Sequence, residues 1–173
     1  MAHVPAYLLI DANVLIDYND SDISILTLAS HHLGQIHVLS TVLDEVDGLD
    51  VAECERLGLK VIEPELIQLT EAAVKRGKLS EEDHLSLIVA RAQSWTCVTN
   101  DRALRKACDD DGVPVLWGLQ IMKELVRRDE LGAEDAIAVA QAIHECNPNH
   151  IPVSLVERFA ERVREAEAER RGS

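Results

Sequence analysis

Short apolar runs alternate along the chain with longer stretches in which apolar residues recur every three or four positions. The short runs predict buried strands, and the longer repeats predict amphipathic helices. Strands are predicted over 8–11, 36–39, 59–62, 95–101 and 113–117, with helical segments between them and after the last one. Pro114 cannot donate a backbone hydrogen bond, so the last strand is expected at an edge of the sheet.

This alternation predicts an α/β fold with a central, mainly parallel sheet. From about Gln120 onward the pattern is wholly helical, and three apolar stripes follow one another before the charged end of the chain. We therefore divide the chain into a sheet domain over 1–119, which includes a tail at 1–6, and a helical C-terminal extension over 120–173. A lone hairpin cannot bury three stripes. The extension is thus expected to pack on the sheet domain and to contribute to a homodimer or a partner groove.

Two of the predicted strands end on a carboxylate, at Asp11 and at Asp101. In an open parallel sheet the ligand site lies just beyond the carboxyl ends of the strands, so both side chains are expected at one edge. An Asp at a strand end is also a common helix cap or turn residue. The pair, together with two further acids, favours metal-dependent chemistry over capping.

The two further acids are Glu45 and Asp83, because each shares a helical face with apolar residues. Glu45 falls within the apolar stripe of a helix over 42–49 and is expected to face inward, unless it only borders the stripe and reaches water. Asp83 follows Ser80 at the spacing of a capping box. It also shares a helical face with Leu87, which directs it toward protein rather than solvent.

The composition is typical of a soluble, cytoplasmic protein. Of the 173 residues, 47% are hydrophobic, as in an ordinary globular domain. No apolar run is long enough to span a bilayer and the N-terminus lacks a signal-peptide pattern, so no membrane contact is expected. The four cysteines are widely spaced and form no Cys-x-x-Cys pair, which favours reduced thiols over zinc or a disulfide.

The net charge of −14 differs from the basic character usual in nucleic-acid-binding proteins. Bound divalent ions reverse the local field, so the charge does not exclude a nuclease. The basic residues are 12 Arg and 5 Lys. Arg gives bidentate contacts to phosphate, while the codon usage of the host explains the excess equally well.

Four carboxylates that meet at one edge are expected to bind Mg²⁺ or Mn²⁺, because oxygen-only ligand sets select hard cations. Such ions generate a nucleophile from bound water, and two of them clamp both oxygens of a phosphodiester displacement. Asn13 and Thr99 are expected to orient a ligand or a metal-bound water. Arg102 and Arg105 are placed to hold substrate phosphate, although a solvated helix surface explains either residue alone.

Four short motifs, in this order, resemble those of the PIN-domain ribonucleases, and most of all the VapC-like toxin branch. They are Leu-Ile-Asp-Ala-Asn-Val-Leu-Ile-Asp at 9–17, Val-Leu-Asp-Glu-Val at 42–46, Leu-Ser-Glu-Glu-Asp at 79–83 and Val-Thr-Asn-Asp-Arg at 98–102. The resemblance implies a three-layer α/β/α sandwich and a Mg²⁺- or Mn²⁺-dependent endoribonuclease. It assigns the catalytic, metal-binding acids to Asp11, Glu45, Asp83 and Asp101. It also implies RNA as the substrate, a homodimer, and a protein antitoxin as a partner.

Three other functions share parts of this pattern. A phosphohydrolase of the haloacid-dehalogenase type also begins with a strand and Asp-x-Asp, but Asn13 cannot act as its general acid. A degenerate PIN domain that only binds ligands is a second alternative, against which four intact acids argue. The third is a PIN-like nuclease in RNA processing or DNA repair, without an antitoxin. An antitoxin-like reading frame beside the gene would separate a toxin from that third alternative.

Overall fold

The apolar runs of the sequence form a five-stranded sheet at the centre of the protein. The computed structural model describes residues 7–173, so the predicted tail at 1–6 lies outside the described residues. The strands are β1 (Tyr7–Ile10), β2 (Gln35–Leu39), β3 (Lys60–Ile62), β4 (Thr96–Val98) and β5 (Val115–Leu116). Leu8, Leu9 and Ile10 are fully buried, as expected for a central strand covered on both faces.

The strands are arranged in the order β3-β2-β1-β4-β5, and every neighbouring pair is parallel. All five carboxyl ends therefore meet at one edge of the sheet. The chain moves from β1 outward to β3, then returns to the other side of β1 to form β4 and β5. This change of direction places a crevice between the ends of β1 and β4, where ligands bind in open parallel sheets.

Helices cover both faces of the sheet. Within residues 7–173 they are α1 (Ala12–Asp20), α2 (Ser24–His32), α3 (Ser40–Leu43), α4 (Val51–Arg56), α5 (Leu66–Ala72), α6 (Glu81–Gln93), α7 (Arg102–Asp110), α8 (Gly118–Arg127), α9 (Ala133–Cys146) and α10 (Val153–Arg171). The connections β1–β2 and β4–β5 run in opposite directions across the sheet, so right-handed crossovers place α2 and α7 on opposite faces. The predicted three-layer α/β/α architecture is confirmed.

The C-terminal helices join the layer formed by α1 and α2. α8 packs on α2, α9 on α1, and α10 on both α8 and α9. The apolar stripe of α8 is buried at Ile121, Met122, Leu125 and Val126, so the extension packs on the sheet domain. The division between residues 119 and 120 stays a prediction, and it falls within the first turn of α8.

Local contacts set the bounds of two helices. α5 begins at Leu66, because Glu65 takes the N-cap position and its N–H donates to Gln68 Oε1 over 2.8 Å. α10 continues through the charged end as far as Arg171. Alternating buried residues and exposed ion pairs hold this segment: Val163 is buried, and Arg164 pairs with Glu134.

The acidic turn at 109–111 contains an ion-pair centre. Asp111 accepts two hydrogen bonds from Arg76, at 2.7 and 2.6 Å, and a third from Arg91 at 2.9 Å. These guanidinium groups lower the pKa of Asp111 to about 2. Asp111 therefore ties α6 and the preceding loop to the end of α7.

Across residues 7–173, no helix combines the length and apolar character needed to cross a membrane. The thiols of Cys54, Cys97 and Cys108 are buried, and that of Cys146 is exposed.

Candidate functional site

Asp11 directs its carboxylate at the end of β4 instead of capping a helix. It follows the central strand, is 2% exposed, and occupies the N-cap position of α1 without accepting a hydrogen bond from that helix. Its backbone N–H donates to the carbonyl of Val98 over 2.9 Å. Its Oδ2 accepts a hydrogen bond from the hydroxyl of Thr99 over 2.8 Å. The helix-cap interpretation is therefore excluded for this residue.

Asp101 is linked to Asp11 through the same threonine. The backbone N–H of Asp101 donates to Thr99 Oγ1 over 3.0 Å. Its own carboxylate caps α7, since Oδ1 accepts from the N–H of Leu104 over 2.7 Å. Asp101 thus combines a capping role with a position at the predicted edge. Thr99, fully buried, holds the two strand ends together.

Asp83 approaches this edge from the first turn of α6. Its backbone N–H donates to the hydroxyl of Ser80 over 3.0 Å, so the predicted cap is present. The cap joins the backbone N–H of Asp83 to the hydroxyl of Ser80. Hydrogen bonding from Ser80 also reaches the Asp83 carboxylate and opposes the rise in its pKa. Asp83 is partly buried and Leu87 on the same face is fully buried, so the predicted orientation toward protein is confirmed.

The charges of Asp11, Asp83 and Asp101 act on one another. Burial raises the pKa of Asp11 to about 6; the charges of Asp83 and Asp101 add to this rise, and the hydrogen bond from Thr99 opposes it. Burial also raises the pKa of Asp83, with a contribution from Asp101. Three carboxylates from three separate elements therefore form one electrostatic group, which we call the acidic edge.

Glu45 does not face inward as predicted. α3 ends at Leu43, and Asp44 is its C-cap, so the helical stripe does not continue to Glu45. The side chain is exposed, in a turn after the helix. Its charge raises the pKa of a different residue, Glu82, for which burial is the main cause of the rise.

Glu82 was missed by the sequence analysis. It is partly buried in the first turn of α6, beside Asp83, and its Oε1 accepts a hydrogen bond from the hydroxyl of Thr41 over 2.5 Å. That contact joins residues 41 positions apart, so no local sequence pattern predicts it. Glu45, Thr41 and Glu82 lie together at the border of the acidic edge.

The predicted polar and basic residues occupy different surroundings. Asn13 is exposed in the first turn of α1, and Arg102 is exposed in the first turn of α7. The guanidinium of Arg105 lies 3.7 Å from the centre of the Trp117 ring. Arg105 therefore makes a cation–π contact, which the sequence analysis did not anticipate.

Asn100 connects the acidic edge to the C-terminal helices. Its Oδ1 accepts from the N–H of Gly118 over 2.9 Å, and the carbonyl of Gly118 accepts from the hydroxyl of Tyr18 over 2.7 Å. A Cβ atom at Gly118 would lie 2.9 Å from Asn100 Nδ2. A side chain at position 118 would therefore force Asn100 to move, and the hydrogen bond from Gly118 fixes the start of α8 against the loop that carries Thr99 and Asp101.

The carboxylates of the acidic edge are candidate ligands for a divalent cation. Within residues 7–173, no three His, Cys, Asp or Glu side chains are grouped closely enough to hold a metal ion as they stand. The chemistry of the acidic edge nevertheless fits a hard cation, because its carboxylates carry an unfavourable mutual charge that such an ion would relieve.

The parallel sheet, its strand order and the two helical layers define a PIN-like fold. A solved structure with this fold is a PilT N-terminus (PIN) domain protein from the hyperthermophilic archaeon Sulfolobus solfataricus. The two structures superpose with a TM-score of 0.50 and 13% sequence identity, over 68% of this chain and 92% of that one. The likeness concerns the fold and does not extend to the VapC-like branch. The sequence matches no protein-family model and no curated protein.

Proposed function

We propose that the protein is a nuclease that uses Mg²⁺ or Mn²⁺ to hydrolyse phosphodiester bonds in RNA at the acidic edge. One observation carries the proposal. The buried carboxylate of Asp11 lies at the switch point of a parallel sheet, makes no side-chain capping hydrogen bond to α1, and shares its electrostatic surroundings with Asp83 and Asp101. The PIN-like fold supports the same conclusion.

Each residue of the edge has a role that follows from its contacts. Asp11, Asp83 and Asp101 would hold the cation, which when bound supplies an activated water and neutralises phosphate charge. Thr99 is a positioning residue, because its hydroxyl fixes the carboxylate of Asp11. Arg102, exposed beside Asp101, would contact substrate phosphate.

The polar residues at the border complete the proposed site. Asn13 is exposed next to Asp11 and is available to a ligand or a metal-bound water. We propose Glu45 as a fourth acid, which would reach the edge by moving its exposed side chain. Glu82, already partly buried beside Asp83, is the alternative fourth acid.

Finer features of the proposal rest on the sequence resemblance. They are the choice of RNA, a toxin role with an antitoxin partner, a homodimer and a cytoplasmic location. A PIN-like nuclease of RNA processing or DNA repair shares the chemistry and lacks only the antitoxin.

A degenerate PIN domain that binds ligands without cleavage is a second candidate. The separation of the acids and the exposure of Glu45 favour it. It differs from the nuclease in one measurable respect, because it has no metal-dependent turnover.

Cleavage of a mixed RNA pool tests the proposal. The purified protein should cut RNA with Mn²⁺ or Mg²⁺ and stop with EDTA. Asp11→Asn and Asp101→Asn should each abolish cleavage and remain folded, since an Asn at position 101 still caps α7. Asp50→Asn is the matched control, because Asp50 caps α4 through the N–H of Glu53 and lies outside the acidic edge.

Cleavage by Asp11→Asn at the wild-type rate would show that the site is placed wrongly. Metal-dependent binding of RNA without turnover would instead identify the degenerate binding domain.

A further inference from the structure

A cleft opens between the start of α8 and the middle of α10, next to the acidic edge. Its volume is about 360 Å³, within the range of ligand sites. Its lining includes Asn100, Trp117, Lys123, Arg158, Phe159 and Arg162. We call it the α8–α10 cleft. It lies outside the set of residues that the sequence resemblance implicates.

Three cations line this cleft in a protein whose net charge is −14. They are Lys123 on α8 and Arg158 and Arg162, which are one turn apart on α10. Among the described residues none of the three has an ion-pair partner, whereas three other arginines of α10 do. Those three are Arg164, Arg170 and Arg171. The cleft therefore concentrates positive charge that the protein does not neutralise internally.

An exposed aromatic ring stands at the same cleft. Trp117 is 41% exposed although a large apolar side chain is normally covered. Arg105 packs on the Trp117 ring but does not line the cleft. The ring surface that faces the cleft is therefore not the surface that Arg105 covers. Phe159 forms part of the apolar floor. A flat aromatic surface beside unpaired cations suits a ligand that carries both a π face and negative charge.

The cleft adjoins the acidic edge through Asn100. This residue lines the cleft and lies in the chain between Thr99 and Asp101. Its hydrogen bond to Gly118 fixes the wall that the two sites share. A chain of nucleotides that leaves the acidic edge in this direction would enter the cleft next.

We propose that the α8–α10 cleft binds a single-stranded nucleic acid. Lys123, Arg158 and Arg162 contact its phosphates, and Trp117 stacks on an unpaired base. The inference deepens the proposed nuclease function and rests on it for the choice of RNA. A duplex offers no unpaired base to Trp117. An acidic peptide would pair with the three cations but needs no aromatic surface, so it does not explain the exposed ring of Trp117.

Binding of a short fluorescent oligouridine, measured by anisotropy in EDTA, tests the cleft without cleavage. Arg158→Gln/Arg162→Gln should weaken binding and should lower the slope of log K against log salt by about 1.4, or about 0.7 for each lost phosphate contact. The double variant Lys60→Gln/Lys78→Gln removes the same charge from exposed lysines outside the cleft. It should leave both the affinity and the slope close to the wild-type values.

Trp117→Leu keeps an apolar side chain and removes the stacking surface. It should weaken binding roughly tenfold and leave the salt slope unchanged, which a general loss of structure would not do. Oligothymidine should show the same losses, because the proposed contacts involve phosphates and base faces and no ribose hydroxyl.

The result that would overturn the cleft is wild-type affinity and slope in Arg158→Gln/Arg162→Gln. Equal binding of duplex RNA would overturn the proposed role of the cleft as well. So would displacement of the probe by polyglutamate, if Trp117→Leu abolishes that displacement. Asp11→Asn separates the two proposals. If only the nuclease proposal fails, oligouridine still binds at the cleft but is not cleaved. If only the cleft proposal fails, RNA is still cleaved, and Arg158→Gln/Arg162→Gln does not change the rate.

Discussion

Thr99 donates its hydroxyl hydrogen to the carboxylate of Asp11 over 2.8 Å, although 88 positions separate the two residues. The same hydroxyl accepts a hydrogen bond from the backbone of Asp101. One fully buried side chain thus sets the position of two acids that follow neighbouring strands. The bond also opposes the rise in the pKa of Asp11 that burial causes.

Replacement of this hydroxyl should affect both stability and activity. Thr99→Val keeps the shape of the side chain and leaves the buried carboxylate without its donor, so the free energy of unfolding should fall by about 1–3 kcal/mol. The pKa of Asp11 should rise further, and the pH profile of cleavage should move to higher pH. Urea unfolding and a pH–rate profile measure the two effects.

Thr96→Val is the matched control, because Thr96 begins β4, which Thr99 directly follows, and is also buried. The hydroxyl of Thr96 has no hydrogen-bond partner among the described residues, so its removal should be neutral or stabilising. Equal losses in the two variants would show that the bond between Thr99 and Asp11 has no special value.

The second prediction is that ionisation of Asp11 lowers the free energy of unfolding. Its pKa is about 6 in the folded protein against 3.8 without the fold, so the folded state binds this proton more tightly than the unfolded state. The free energy of unfolding therefore falls as the pH rises from about 4 to about 6, by up to about 3 kcal/mol. Asp11→Asn lacks this loss, so its Tm in EDTA should rise relative to the Tm of the wild type as the pH increases across that range.

Melting curves in EDTA on both sides of this pH range check the prediction. A difference in Tm between Asp11→Asn and the wild type that does not change with pH would show that Asp11 is ionised at no cost.

Asp83 and Ser80 give the third prediction, because their roles are separable. Ser80→Ala removes the cap and should cost about 1 kcal/mol of stability while metal-dependent cleavage continues. Asp83→Asn keeps the backbone hydrogen bond and relieves the repulsion at the acidic edge, so it should melt at the same or a higher temperature in EDTA. It should also gain less from Mn²⁺ and cleave more slowly. An Asp83→Asn protein that gains as much from Mn²⁺ as the wild type would remove Asp83 from the metal site.

Asp111 should show the opposite dependence on pH. Its pKa of about 2 lies below the value of 3.8 that it has without the fold, owing first to the hydrogen bonds from Arg76. Its stabilisation is present above about pH 4 and is lost as the pH falls toward 2. The two arginines are partly exposed, so Asp111→Asn should cost only about 1 kcal/mol at neutral pH. Urea unfolding should show a smaller cost at roughly pH 3, and a constant cost would contradict the ion-pair explanation.

The sheet and most of the acidic edge could be predicted because their signals are local. A buried run that stops at a carboxylate defines both a strand and its carboxyl end, which located Asp11 and Asp101. The face shared with Leu87 placed Asp83 correctly, because α6 is long enough for helical periodicity to hold over 81–93.

The features that could not be predicted from the sequence depend on tertiary structure. Glu45 was assigned inward because the apolar positions at 42, 46 and 49 extend a helical period beyond the end of α3. Val46 and Leu49 are buried by a turn instead. The contact between Thr41 and Glu82 and the α8–α10 cleft both depend on elements distant in the chain. Periodicity within one helix carries no information about which neighbour it meets.

The pairing of Leu8–Ile10 with Thr96–Val98 also sets an order of events during synthesis. Domains fold as units while the chain emerges from the ribosome, and distant strand pairs form late. Asp11 is synthesised 88 positions before Thr99, so its carboxylate has no such partner until the residues that follow β4 have left the ribosome. A nascent chain that stops short of this point therefore carries Asp11 without the arrangement that would let the acidic edge act.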